Sequence, residues 1–283
     1  LATTPKDHES NQMQTLNTPV SPFSAASKVS MTSARVKAAK AAAKPKKEKL
    51  DPVRIVFILD RSTSMEQMRD EAIEGFNLFV KAQQELPGKA NFSFVLFDTE
   101  VVLVYDNANI KKIPALTRET FKPQGMTALY DAIGYTVERY KHAKKSEKTI
   151  VAILTDGQEN ASRKYNSYLV SQMLKEVQDE GKWEVLFLGA NLDTAKFATG
   201  AGIKLSNSTS YDYTKKGLVD VIASASYATS AMRGATINVG GSMMDASTLN
   251  MASIYENVKS GGAQGTFVPQ DIKVTLKDKQ AAK

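Results

Sequence analysis

The chain has 283 residues, 42% of them hydrophobic and 24% charged, which is ordinary for a globular protein and long enough for one large α/β domain with extensions or two small domains. It contains no Cys, which excludes a disulfide framework and any thiolate chemistry, and no apolar run long enough to cross a membrane as a helix. Its net charge of +7 is uneven: residues 1–50 hold nine Lys and Arg against three Asp and Glu, so the rest is nearly neutral.

Residues 1–51 contain a single aromatic, Phe23, among many Ala, Ser, Thr and Lys, and end in an Ala/Lys tract interrupted by Pro45. Such a segment cannot bury enough apolar surface to offset its ordering entropy, so it reads as a basic arm or a linker. An arm of this charge suits an acidic neighbour, and nucleic acid is a possible partner for this segment alone. No basic-then-apolar leader pattern is visible at the start.

The regular pattern begins at residue 52. Val53 to Leu59 is a β-branched and aromatic run of the kind buried in a parallel sheet. It stops at Asp60-Arg61-Ser62-Thr63-Ser64, which offers one carboxylate and two hydroxyls at alternate positions. Ligands of open α/β sheets sit beyond the carboxyl ends of strands, and an all-oxygen set there suits a hard cation. A helix follows from about Met65 to Leu86, with Met68, Ala72, Ile73, Phe76, Phe79 and Val80 at three-four spacing and Pro87-Gly88 as its stop. Asn91 to Phe97 and Val101 to Tyr105 form a hairpin around Asp98-Thr99-Glu100. Thr127 opens a helix that runs to about His142.

Thr149 to Leu154 is a second apolar strand, ending at Thr155-Asp156-Gly157. The pattern continues with a helix over about 166–180, a strand from Trp183 to Leu188, a short helix from Asp193 to Thr199, an edge strand at Ile203 to Leu205 and a helix from Thr214 to Met232. Taken singly, Ser62, Ser64 and Thr127 would serve as helix caps and Asp156-Gly157 as a turn. Three separate caps have no reason to fall into this register.

With these three pieces in order, the chain resembles a von Willebrand factor A (VWA) domain over about 52–233. The resemblance implies a doubly wound, mostly parallel six-stranded sheet with one antiparallel edge strand, and it leaves outside it the N- and C-terminal extensions, which read as flexible from their composition. It also implies a metal-ion-dependent adhesion site in which Asp60, Ser62, Ser64, Thr127 and Asp156 hold Mg²⁺ or Mn²⁺. In that family a Glu or Asp of a partner protein completes the metal shell. Phe187-Leu188-Gly189-Ala190-Asn191-Leu192-Asp193, with the helix after it, is similar to compact bacterial and bacteriophage members.

The functional expectation is a non-enzymatic, metal-dependent protein-binding module. Asp60-Arg61-Ser62 lacks the second acid of phosphatases that form an aspartyl-phosphate, no phosphate-cradling Gly-Lys loop exists, and His142 falls late on its helix as a surface residue. The setting expected is a subunit of a larger assembly such as a bacteriophage virion, in the virion or host cytoplasm; a non-Met first residue is compatible with processing. Alternatives are an assembly protein whose metal only stabilises the fold, or a regulatory module working with an ATPase or kinase. Residues 234–283 read as a Gly/Ser/Met-rich, weakly ordered extension. It contains one helix near Leu249 to Val258 and an alternating strand over 271–277 that could pair with another subunit.

Overall fold

The computed structural model describes residues 52–142, 147–261 and 272–273. The basic arm and most of the 271–277 strand lie outside them.

Strand β1 (Val53–Asp60) is buried at all eight positions because it pairs in parallel on both sides, with β2 (Ala90–Phe97) and β4 (Lys148–Thr155). The sheet order is β3-β2-β1-β4-β5-β6, with β3 (Val101–Asn109) the antiparallel edge, β5 (Trp183–Gly189) next to β4 and β6 (Ser208–Ser210) the other edge. The expected doubly wound sheet is thus present. Strand alternation divides the core into two layers. On one face Ile55, Phe57 and Leu59 pack with Phe76 and Phe79 of α1 (Arg69–Glu85) and with Val221 and Ile222 of α5 (Lys215–Met232). On the other, Val56 and Ile58 meet Leu129, Ile133 and Val137 of α2 (Leu129–Tyr140) and Val170, Leu174 and Val177 of α3 (Ser167–Asp179). Phe57 meets Phe79 edge-on at 4.9 Å between ring centroids, the favoured arrangement of aromatic quadrupoles.

Two segments differ from the sequence expectation. The edge strand β6 is Ser208–Ser210, not residues 203–205, and pairs in parallel with Phe187–Gly189. Ile203 is buried, but Leu205 is 58% exposed. Three hydroxyl residues carry no apolar period, so only backbone pairing defines this strand. The helix before it, α4 (Thr194–Gly200), starts at an Asp193 cap as its sequence suggests.

The second difference is at the C-terminus. Thr236–Val239 (β7) and Ser242–Met244 (β8) form a hairpin whose turn needs positive φ at both Gly240 and Gly241. Helix α6 (Met251–Lys259) follows where a helix is expected. Ile237, Val239, Met251, Ile254, Tyr255 and Val258 join the same core layer as Phe57, so this part is packed rather than loosely attached. Ile272–Lys273 pair antiparallel with β7 of their own chain.

Close packing of α2 on the segment before α3 depends on Gly134. A Cβ there would stand 2.4 Å from Cγ of Tyr165. Alanine is the better helix former by about 1 kcal/mol, but the ring has no free end with which to yield. Gly134→Ala should therefore destabilise the protein by about 1–3 kcal/mol, read as a lower urea midpoint; equal or higher stability would show that the ring moves aside freely.

Candidate metal centre

The carboxyl ends of β1 and β4 lie side by side, with Leu59 paired to Leu154, so Asp60 and the Thr155-Asp156 pair emerge together. Asp60 Oδ1 accepts the Ser62 backbone N–H at 2.7 Å, and its Oδ2 accepts the Thr155 hydroxyl at 2.6 Å. The Ser62 and Ser64 hydroxyls lie 3.0 Å apart, and Ser64 Oγ donates to Asp156 Oδ1 at 2.8 Å. Four of the five expected residues thus form one continuous polar chain. The fifth, Thr127, stands beside the third loop, its Oγ1 3.5 Å from where a Cβ on Gly157 would lie. Asp60, Ser62, Thr127 and Asp156 are buried, and Ser64 is exposed at the rim.

The hydroxyls are not engaged as helix caps. Ser62 occupies the N-cap of a 3-10 turn (Thr63–Met68) without a side-chain capping bond, and α2 has Ala128, not Thr127, at its cap. Thr127 is instead held through its backbone: its N–H donates to Asn160 Oδ1 at 2.8 Å, and its carbonyl accepts the Asn160 N–H at 3.0 Å. The first two loops are joined by Gln124 N–H to Arg61 O, Ala128 N–H to Asp98 O and the Arg61–Asp98 ion pair at 2.8 Å. Gly125, at φ 66°, turns the second loop so that its carbonyl receives both the N–H and the hydroxyl of Thr63.

Electrostatically the site is short of positive charge. Burial pushes the Asp60 carboxyl up to about 7; hydrogen bonds from Thr155 and Ser62 pull it down, and the Asp156 charge pushes it up again. Burial also raises Asp156, against the hydrogen bond from Ser64 and the nearby Tyr213 hydroxyl. Asp156 Oδ2 is buried without a hydrogen-bond partner. A buried carboxylate oxygen left in this state is costly, and a divalent cation is what two carboxylates and three neutral hydroxyls fit. No cluster of three or more His, Cys, Asp or Glu suited to a metal occurs among the described residues, so a site richer in acids is absent there.

Sequence reasoning missed Thr155 and Asn160. Thr155 could have been noticed as the polar end of an apolar strand, but Asn160 gives no periodic signal. His142 is exposed at the far end of α2, as expected.

Residues 55–158, which include all five site residues, match the family model described as von Willebrand factor type A domain. The chain contains a VWA domain. No curated protein matches the sequence. Among solved structures the chain is similar to the ArnB paralog VWA2 of Sulfolobus acidocaldarius, at 18% identity over 62% of this chain and 46% of that one, TM-score 0.47. It is similar to a von Willebrand factor type A protein from Catenulispora acidiphila at 16% identity, 67% and 44% coverage, TM-score 0.47. A manganese-loaded TRAP protein from Plasmodium vivax gives 14% identity, 60% and 72% coverage, TM-score 0.45. The chain thus spans less than half the length of the first two. These likenesses are partial, and the VWA assignment stands on the match over 55–158.

The raised Asp60 pKa has a direct consequence for stability. A carboxyl whose folded pKa lies above its ordinary value of 3.8 favours folding fully at low pH and loses that contribution as pH rises through about 7. At 1.36 kcal/mol per unit, the loss is on the order of 4 kcal/mol. In EDTA the melting temperature of the VWA domain should fall between about pH 4 and about pH 7, and Asp60→Asn should flatten most of that slope. A wild-type melting curve independent of pH in this window would contradict the assignment.

Proposed function

We propose that the VWA domain is a non-enzymatic module that binds a protein partner through a divalent cation, Mg²⁺ or Mn²⁺, held by Asp60, Ser62, Ser64, Thr127 and Asp156. The observation that carries this reading is the buried, unpartnered Asp156 Oδ2 beside hydroxyls that cap no helix. A bound cation supplies one Lewis-acidic point that can take up an Asp or Glu carboxylate of the partner.

The chain's own residues set the character of that point. Asp60 and Asp156 balance the two charges of the cation, while the three hydroxyls add oxygens without adding charge. Thr155 and the Ser62 N–H fix the Asp60 carboxylate from behind, so it need not reorganise on binding. Exposure of Ser64 and of Met126, 49% accessible in the second loop, marks the side from which a partner would approach.

In the non-enzymatic reading the carboxylates beside the hydroxyls, Asp60 and Asp156, are taken up by the cation rather than left to act as bases. Ser62 and Ser64 bond each other and Asp156, and His142 lies beyond the opposite end of α2 from Thr127. We further infer that the chain acts within a larger assembly, such as a bacteriophage virion, in which the basic segment 1–51 meets an acidic neighbour. The charge asymmetry and the Phe187–Asp193 resemblance support that setting.

A second reading, a cation that only stabilises the fold, is favoured by the burial of four of the five residues. Two measurements separate them. Calorimetric titration with Mn²⁺ should show one site in the wild type, none in Asp60→Ala and several-fold weaker binding in Thr127→Ala. A protein that co-purifies with the chain should be released by EDTA and recaptured with Mg²⁺. If EDTA lowers the melting temperature while the partner stays bound, the stabilising reading is correct and the binding reading fails.

A further inference from the structure

Two tyrosines outside the five site residues reach the metal centre from one loop, residues 211–214, between β6 and α5. The Tyr211 hydroxyl donates to Thr155 O at 3.3 Å, beneath the two carboxylates. The Tyr213 hydroxyl donates to Ser64 O at 3.0 Å. Ser64 is the residue whose hydroxyl joins Ser62 to Asp156. Holding its carbonyl holds the backbone from which that hydroxyl projects.

The loop is itself held on three sides. Tyr211 N–H continues the β5 pairing by donating to Gly189 O at 3.0 Å. Below, the first turn of α5 packs so closely that a Cβ on Gly217 would stand 2.2 Å from Asp212 O, while Thr214 Oγ1 caps that turn by accepting Gly217 N–H at 3.0 Å. From behind, Asp212 N–H donates to the Tyr255 hydroxyl at 3.0 Å, and Lys259 pairs with the Asp212 carboxylate at 2.8 Å. The Lys259 pair is exposed and holds the loop weakly. Tyr255 is different: its ring is buried in the core with Met251, Ile254 and Val258, so its hydroxyl is a fixed anchor. Without it the Asp212 N–H would have no partner from α6.

We propose that the C-terminal helix α6, residues 251–259, is a positioning element for the metal centre. Tyr255 anchors Asp212, the anchored loop aims Tyr213, and Tyr213 sets Ser64. Tyr213 and Tyr255 are positioning residues, neither of them a ligand. The segment lies wholly outside the 55–158 match, so this chain supplies the support from its own C-terminal residues. The metal-affinity part of the argument rests on the divalent-cation reading above; the mechanical part does not.

The test uses the full chain and the variants Tyr213→Phe and Tyr255→Phe, each losing one hydroxyl and keeping its ring. Tyr168→Phe, at a position 68% exposed on α3, is the control. Deuterium uptake of residues 62–65 is measured in EDTA, and Mn²⁺ affinity by calorimetry. Both variants should speed exchange in 62–65 and weaken Mn²⁺ about three- to tenfold, the scale of one hydrogen bond, with the control unchanged. If the wild type binds no Mn²⁺ but both variants still speed exchange at 62–65, the cation reading fails and the positioning role stands. If Tyr255→Phe lowers the melting temperature while exchange at 62–65 and Mn²⁺ affinity stay at wild-type values, Tyr255 is only a core residue and the proposal is overturned.

Discussion

Burying two carboxylates at the ends of adjacent parallel strands is the constraint around which the rest of the site is arranged. Because β1 and β4 are neighbours in the sheet order, Asp60 and Asp156 must emerge close together. Each is nearly inaccessible to water, and each charge raises the cost of the other. Nearby donors answer this cost in part: the Ser62 N–H, the Thr155 hydroxyl and the Ser64 hydroxyl all point at carboxylate oxygens. They leave Asp156 Oδ2 unanswered. In the proposed reading, a bound cation would answer the group that these donors leave over.

The loops show the same logic at the level of the backbone. Arg61 falls between two site residues, yet it faces Asp98 and ties the first loop to the end of β2. Asn160 does for Thr127 what Asp98 does for Arg61, from the other side of the cleft. Both are side-chain-to-loop bonds across large sequence separations, and they let three loops converge without a regular element among them. Rigid strands supply the carboxylates; cross-loop bonds supply the hydroxyls.

The legible part of this chain was the part that repeats. Continuous apolar runs announce β1 and β4 because burial on both faces leaves no polar positions, and the three-four spacing of Ala72, Phe76 and Phe79 announces α1. Four of the five site residues were legible because they follow those strands directly, and Thr127 because it stands at the opening of α2. What was not legible depends on long-range contact. Ser208–Ser210 is a strand only because Phe187–Gly189 is there to pair with it. Residues 236–259 look weakly ordered by composition, but Ile237, Val239 and Ile254 find a surface already built by α5 and the sheet. Tyr213 has no local signature at all, since its partner Ser64 is 149 residues away.

The choice of hydroxyls over carboxylates at three of the five positions follows from the same electrostatics. With only two acids present, burial and mutual repulsion already hold Asp60 near neutrality in its proton affinity, at about 7. A third buried carboxylate in place of Ser62 or Thr127 would add its own desolvation cost and further repulsion. It would also cancel more of a bound cation's charge than two acids do, leaving less attraction for an incoming carboxylate. Neutral oxygens avoid both effects, but they hold a cation weakly one by one, so their aim must be set in advance. That requirement gives a physical reason for the structure placed behind them: Asn160 behind Thr127, and the Tyr213–Asp212–Tyr255 chain behind Ser64. A site built from hydroxyls depends on its supports more than one built from acids.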